Sequence, residues 1–168
     1  MVKKTEDTVD EYKLNIYDHG IYILSDEITH VNTSDAIQFI LECNLLPKKN
    51  RFENLTLIIN SPGGDLTAAF ALIDIMQGSS IPVYTLGLGQ ISSAGLLIFM
   101  AGRKGYRTIA PNTSILSHQY SNYHEGKAHE LFAMQKEHDL IQQRMVEHYR
   151  RTTGMKDDVI LSKLLPPS

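Results

Sequence analysis

Two predicted strands, each followed by a glycine-containing turn and then an apolar helix, constrain the fold of this chain most strongly. The strands are residues 55–60 and 82–87, and their turns follow at 61–64 and 89–90. The helix after the second turn is apolar on every side from Ala94 onward, which places it inside the protein. Because strands and helices alternate along the chain, the sequence predicts an α/β fold.

The remaining patterns predict further elements around these two units. Thr33 or Ser34 is expected to cap a helix that begins at Asp35. A polar segment, 124–151, carries apolar residues near helical spacing, and such a helix extends about 40 Å at 1.5 Å per residue. We also predict strands at 21–24, 106–110 and 114–118, helices at 68–77 and 157–165, and a flexible N-terminal arm at 1–11.

The composition excludes several classes of protein. The 168 residues include 16 basic and 19 acidic residues, so the net charge of −3 provides no field to attract nucleic acid or an anionic membrane. No run reaches the roughly 18 apolar residues needed to span a bilayer, and the N-terminus resembles no secretory signal. The single cysteine, Cys43, excludes an internal disulfide and is expected in the core. We therefore expect a cytoplasmic protein.

Seven histidines raise the question of a metal site. His129, His138 and His148 lie on the predicted long helix, at spacings of nine and ten residues. Zinc ligands on a helix favour i, i+4 pairs, and these three histidines contain none. We therefore expect no metal.

The two glycine turns have the chemistry of a catalytic site. Glycine lets the backbone approach a ligand closely, and a helix N-terminus offers free N–H groups to a developing oxyanion. A serine before an apolar helix is nevertheless more often an N-cap. The hydrolase motif G-x-S-x-G does not fit, since Gln90 or Ile91 occupies its first glycine position. A lone His118 at a strand end is likewise typical of a structural histidine.

The combination of motifs, in order along the chain, is more specific than any one of them. The motifs are Ile59-Asn60-Ser61-Pro62-Gly63-Gly64, then Gly89-Gln90 with Ser93 and Gly95, then Pro111-Asn112 and Ser117-His118-Gln119. This set closely resembles the proteolytic subunits of the Clp protease (ClpP), which are self-compartmentalising serine peptidases. The resemblance extends from about Glu11 to Gly154 and implies a ClpP/crotonase-like α/β spiral of β-β-α units with a protruding handle helix. It assigns residues 12–122 to a head, 123–152 to the handle and 153–168 to the start of a C-terminal segment.

The resemblance also assigns roles to individual residues. Ser93 matches the nucleophile, and Ser92 falls where the family usually has alanine. His118 matches the general base that takes the serine proton. The positions that match oxyanion-hole amides are Gly63 and Ala94. The edge along which an extended peptide adds as a strand matches Gly64, Asp65 and Leu66.

A third catalytic residue, an aspartate that orients the histidine, follows the handle helix in the family. The resemblance places it just after Ser168. Asp157 and Asp158 are the nearby carboxylates, and their place early in the last segment suits charges that favour a helix N-terminus.

The implied activity is that of an ATP-dependent serine endopeptidase that hydrolyses unfolded polypeptides inside a barrel of stacked seven-fold rings. ATP is used only by a partner AAA+ unfoldase of the ClpX, ClpA or ClpC type, so no cofactor is expected here. Residues 1–10 are mostly charged or polar, whereas the family meets its unfoldase through an apolar-containing loop. Two alternatives stay open: a catalytically silent subunit of a mixed ring, and a crotonase-type acyl-CoA enzyme.

Overall fold

The structure is a computed structural model that describes residues 15–120 and 125–166. The arm predicted at 1–11 lies outside the described residues. The strands are β1 (Ile21–Ser25), β2 (Leu55–Ser61), β3 (Val83–Ser92), β4 (Arg107–Ile109) and β5 (Ser114–Leu116). The longer helices are α1 (His30–Leu45), α2 (Leu66–Gly78), α3 (Ala94–Ala101) and α4 (Ala128–Thr153). Short 3-10 helices span Ile16–His19 and Lys48–Asn50, and a helical turn at Asp157–Val159 continues as a π-helix at Ile160–Leu164.

The described strands form one parallel sheet in the order β1-β2-β3-β4. Strand β5 also pairs with β3, further along the same edge: β4 meets Thr85–Gly87 and β5 meets Gln90–Ser92. The predicted α/β class is therefore confirmed. The long strand β3 aligns two short strands that follow it in sequence, and the second of them leads to His118.

One face of the sheet forms the core. Leu55, Leu57 and Ile59 alternate on β2 and are fully buried, as expected for a strand with one face against helices. Helix α2 packs between α1 and α3. Helix α3 is almost entirely buried, as its uniformly apolar sequence predicts. The single cysteine, Cys43, is also buried, and burial, with Glu42 nearby, raises the pKa of its thiol.

Helix α1 begins earlier than predicted. Its N-cap is Thr29, whose hydroxyl accepts a hydrogen bond from the Asn32 amide, while the Asn32 side chain accepts one from the Thr29 amide. Thr33 is buried inside the helix and donates to the Thr29 carbonyl at 2.7 Å. The prediction of a cap at Thr33 or Ser34 was therefore wrong, because a capping box with asparagine in place of the usual Glu or Gln starts the helix.

Helix α4 has 26 residues, about 39 Å at the standard rise. Its N-terminal half carries exposed apolar side chains at Leu131, Phe132 and Leu140. Its C-terminal half is anchored to the core by Met145 and Tyr149, both 2% exposed. The predicted long helix is thus confirmed, but it begins at Ala128, since the described residues 125–127 precede it and are not helical. Positions 123–124 of the predicted handle lie outside the described residues. Within ranges 15–120 and 125–166, no helix is both long and apolar enough to cross a membrane.

Candidate active site

The turn after β2 holds two glycines in conformations that other residues rarely adopt. Gly63 has φ +104° and Gly64 has φ +145°. The Ile28 amide donates to the Gly63 carbonyl at 2.7 Å, and the Asp65 amide donates to the Ile28 carbonyl at 2.8 Å. A side chain at Gly64 would collide with the backbone of Ile28. The turn is therefore locked against the loop that follows β1.

Ser93 sits between β3 and α3 with a strained backbone, at φ +51° and ψ −122°. Such a conformation costs about 1–3 kcal/mol and is concentrated at functional sites. The Ser93 amide donates to the Leu116 carbonyl of β5 at 2.9 Å, and Ser93 is half-buried. Although Ser93 occupies the N-cap position of α3, its side chain makes no capping hydrogen bond. The common structural role of a serine at this position is therefore not the one seen.

The glycine turn after β2 meets the junction between β3 and α3. A Cβ atom placed on Gly63 would lie 2.6 Å from the Ser93 Cβ and 3.3 Å from the Ala94 amide nitrogen. The predicted nucleophile and the two predicted oxyanion-hole residues are thus direct neighbours. The Gly63 amide itself donates to the Ser61 hydroxyl at 3.1 Å, so this donor is already paired in the structure.

Strand β5 brings His118 to the same region. Leu116 pairs with Ser92 in the parallel register, and His118 follows two residues later. The His118 Nδ1 lies 2.6 Å from the Gln119 carbonyl oxygen. Since a carbonyl can only accept, Nδ1 carries a proton, so in the neutral ring Nε2 is the acceptor that a general base requires. Among hydrogen bonds between described residues, none joins His118 to Ser93.

Ser117, which precedes His118, forms hydrogen bonds with two other parts of the structure. The Ser117 hydroxyl lies 2.7 Å from the Tyr149 hydroxyl of α4 and donates to the Leu164 carbonyl at 2.6 Å. Gln119 donates to the Leu165 carbonyl at 3.0 Å. The backbone around the histidine is therefore held by α4 and by the segment that follows it.

The acidic candidates occupy other positions. Asp157 forms a two-pronged ion pair with Arg150, at 2.7 and 2.6 Å, and this hydrogen bonding lowers the pKa of its carboxyl. Within the described part of the chain, no hydrogen bond or ion pair joins Asp157 or Asp158 to His118. Both residues lie in the first turn of the last helical segment, the position that the sequence suggested for them.

Asp65 caps α2 and remains ionised at neutral pH. Its carboxylate accepts from the Thr67 hydroxyl at 2.5 Å and from the Ala68 amide at 2.8 Å. Partial burial raises the pKa of Asp65, but these hydrogen bonds and nearby His30 outweigh burial, so the pKa lies below its usual value. Leu66, the next residue of the predicted substrate edge, is buried.

The three histidines on α4 lie in different environments. His148 is buried, its Nε2 donates to the Leu97 carbonyl at 2.9 Å, and burial lowers its pKa to about 4, helped by Arg151 and Arg107. His138 packs against Tyr120, whereas His129 is exposed. Across residues 15–120 and 125–166, no group of three or more potential metal ligands comes together.

Two polar residues of the first motif, Asn60 and Ser61, support the site through contacts that sequence reasoning did not predict. Ser61 is fully buried beneath Gly63 and Gly95. The Asn60 side chain accepts from the Gln90 amide at 3.1 Å, across an irregularity in the pairing of β2 with β3. The Ser-Pro-Gly sequence is a signal for the first contact, because serine often bonds to the amide two residues on. Asn60 carries no comparable local signal, since its partner is 30 residues away.

A comparison with known families identifies the class of protein as a protease family. The family model described as "Clp protease" matches residues 3–164. The chain therefore belongs to the Clp protease family, and the resemblance seen in the motifs is confirmed.

Proposed function

We propose that this chain is the serine endopeptidase subunit of an ATP-dependent Clp protease, with Ser93 as nucleophile and His118 as general base. The observation that carries the proposal is the strained backbone of Ser93, which lies against Gly63 and is hydrogen-bonded to the strand that leads to His118. The family assignment supports this function over that of an acyl-CoA enzyme.

The proposed chemistry uses these neighbours in sequence. The His118 Nε2 takes the proton of the Ser93 hydroxyl as its oxygen attacks the peptide carbonyl. The resulting oxyanion accepts from the Gly63 and Ala94 amides. His118 then donates the proton to the leaving amine, and water, activated by the same histidine, releases the acyl group from Ser93.

The hydrogen bond between the Gly63 amide and Ser61 belongs to the resting site. When the oxyanion forms, it competes with the Ser61 hydroxyl for this amide, and an oxyanion is the stronger acceptor because its hydrogen bonds are charge-assisted. Gly63 therefore gains most of its stabilising contact in the transition state, which is how a donor raises the rate.

The proposed substrate is an unfolded polypeptide that adds as a strand along Gly64, Asp65 and Leu66. We propose that the subunits form stacked seven-fold rings in the cytoplasm. A partner AAA+ unfoldase delivers the substrate and consumes the ATP, so this chain itself needs no cofactor. The exposed apolar residues of α4 support its use as a contact between rings.

Labelling with a fluorophosphonate tests the nucleophile. We expect the wild type to be labelled at Ser93 and to cleave short fluorogenic peptides, and we expect Ser93→Ala to lose both activities. Ser92→Ala is the matched control, because Ser92 is the adjacent serine and its hydroxyl accepts a hydrogen bond from the Gln90 side chain at 3.0 Å. Labelling that disappears in Ser92→Ala and persists in Ser93→Ala would contradict the assignment.

A catalytically silent subunit of a mixed ring is the second candidate. It is favoured by the partner of the His118 Nδ1, which is the Gln119 carbonyl rather than a carboxylate. The silent subunit predicts no labelling of Ser93, whether the chain is alone or mixed with an active relative. Labelling of the isolated chain excludes it.

A further inference from the structure

The proposed general base, His118, lies between two residues whose side chains are held by other parts of the structure. Ser117 and Gln119 are half-buried, whereas His118 is exposed. Counting hydrogen bonds among the described residues alone, the imidazole ring of His118 makes one, from Nδ1 to the Gln119 carbonyl. The position of the ring therefore depends on the two residues that flank it.

The acceptors for both flanking side chains lie at the end of the last helical segment. The π-helix ends at Leu164, and the final carbonyls of a helix have no donor within the helix. The Ser117 hydroxyl donates to the Leu164 carbonyl at 2.6 Å, and the Gln119 side chain donates to the Leu165 carbonyl at 3.0 Å. The carbonyls at this helix end thus hold the residues on either side of His118.

Tyr149 of α4 adds a third bond to this arrangement. Its hydroxyl lies 2.7 Å from the Ser117 hydroxyl. Because the one hydroxyl proton of Ser117 is given to Leu164, Tyr149 is the donor in this pair. Burial raises the pKa of the Tyr149 hydroxyl, and the bond to Ser117 offsets only part of this effect, so Tyr149 keeps the proton that it donates. Since Tyr149 is buried, losing this partner would leave a polar group unsatisfied.

We infer that Tyr149 is a positioning residue for the proposed general base, and that it acts through Ser117 to fix where the His118 imidazole stands relative to Ser93. The inference rests on the proposed peptidase function and adds to it a residue that lies outside the motifs. A misplacement of about 1 Å at a reacting centre can cost about 100-fold in rate. The loss of the Tyr149 hydroxyl should therefore appear in kcat.

Tyr149→Phe removes one hydroxyl and keeps the ring in the core. We expect it to lower kcat for a short fluorogenic peptide about 10-fold, with KM within about twofold of the wild type, because no residue proposed to bind the substrate is changed. Thr152→Val is the matched control. It removes another buried hydroxyl from the same helix, one that donates to the His148 carbonyl of α4 at 2.8 Å. The control is expected to keep the wild-type kcat.

Ser117 gives a second comparison, which remains available if Tyr149→Phe does not fold. Ser117→Ala removes the link between Tyr149 and the segment that carries His118, whereas Ser117→Thr keeps a hydroxyl at the same position. A positioning role predicts that kcat falls about 10-fold in Ser117→Ala and stays within about threefold of the wild type in Ser117→Thr. A purely structural role predicts that Ser117→Ala unfolds at lower urea concentration while the kcat of the folded protein is unchanged.

A spectroscopic measurement separates this inference from the peptidase function. Nitrogen NMR of histidine-labelled protein, assigned with His118→Ala, reads which ring nitrogen of His118 carries the proton. We expect Nδ1 in the wild type, and a mixture of the two tautomers in Tyr149→Phe and Ser117→Ala, because the bond to the Gln119 carbonyl is then less firmly held.

The inference is overturned if Tyr149→Phe and Ser117→Ala both keep the wild-type kcat, and this result leaves the peptidase function intact. If the wild type neither cleaves peptides nor is labelled by the fluorophosphonate, the peptidase function fails and the tautomer decides the inference. A changed tautomer in the two variants then supports the positioning role, and an unchanged one overturns it.

Discussion

Replacing Gly63 with alanine tests the contact between the glycine turn after β2 and the junction between β3 and α3. The added Cβ would lie 2.6 Å from the Ser93 Cβ and 3.0 Å from the Ser92 carbonyl oxygen. Carbon atoms pack best at about 3.5–4.0 Å, so one junction must move. Neither junction has room to do so cheaply, because Ser93 is bonded to β5 and the glycine turn is bonded to Ile28.

The expected cost has two parts. Alanine at φ +104° carries backbone strain of about 1–3 kcal/mol. Overpacking against Ser93 adds about 1–3 kcal/mol. Gly105→Ala is the control, because Gly105 also has positive φ, +89°, but has nothing within 4 Å of its Cβ position. The control therefore pays only the first part.

Urea unfolding followed by circular dichroism, at one fixed protein concentration, measures this difference. We expect Gly63→Ala to lose about 1–3 kcal/mol more than Gly105→Ala. Its fluorophosphonate labelling rate should also fall about 100-fold, the scale of a 1 Å displacement at a reacting centre. Equal stability of the two variants, together with wild-type labelling of Gly63→Ala, would refute the reasoning.

Three further predictions concern the support around the site. The pKa of His148 is about 4 in the folded protein, against 6.5 for a free histidine. The free energy of unfolding is therefore highest above pH 6.5 and falls by up to about 3 kcal/mol as the pH drops toward 4. Urea titrations at several pH values should show this decrease for the wild type and not for His148→Leu. Ser117→Ala leaves the Tyr149 hydroxyl without its partner, so we expect a loss of about 1–3 kcal/mol in the same assay, with slower labelling of the nucleophile. Arg107 donates hydrogen bonds from its guanidinium group to the Gly102 and Thr152 carbonyls. Lysine cannot make both bonds with the same geometry, so Arg107→Lys should lower the free energy of unfolding by about 1 kcal/mol. An unchanged urea unfolding curve would contradict this prediction.

Local patterns in the sequence were sufficient for most elements of the fold. The apolar strands and the uniformly apolar helix α3 are buried in the structure, as their sequences predict. The sequence failed where a distant partner decides the structure. The glycines at 87 and 89 suggested the end of a strand, yet β3 continues to Ser92 because β5 pairs with its last residues. A glycine turn signal is local, and it was overridden by a partner more than 20 residues away.

The candidate site shows the same division. The motifs predicted which residues approach one another, and Gly63, Ser93 and Ala94 are neighbours in the structure. Their roles as nucleophile and oxyanion donors stay predictions. The pairing of the Gly63 amide with Ser61, and the proton position on His118, depend on hydrogen-bond geometry. The Ser-Pro-Gly sequence favours the first of these contacts, but spacing along the chain does not say which atom of His118 carries the proton.

The clamp between Ile28 and the glycine turn means that the site depends on a segment with no chemistry of its own. Both hydrogen bonds of the clamp use the backbone of Ile28, so they tolerate many side chains but not the loss of an N–H. In a library of variants selected for catalysis, position 28 should accept other apolar residues and reject proline, which has no amide hydrogen. The geometry of the turn thus depends on backbone hydrogen bonds, which a map of side-chain contacts would not show.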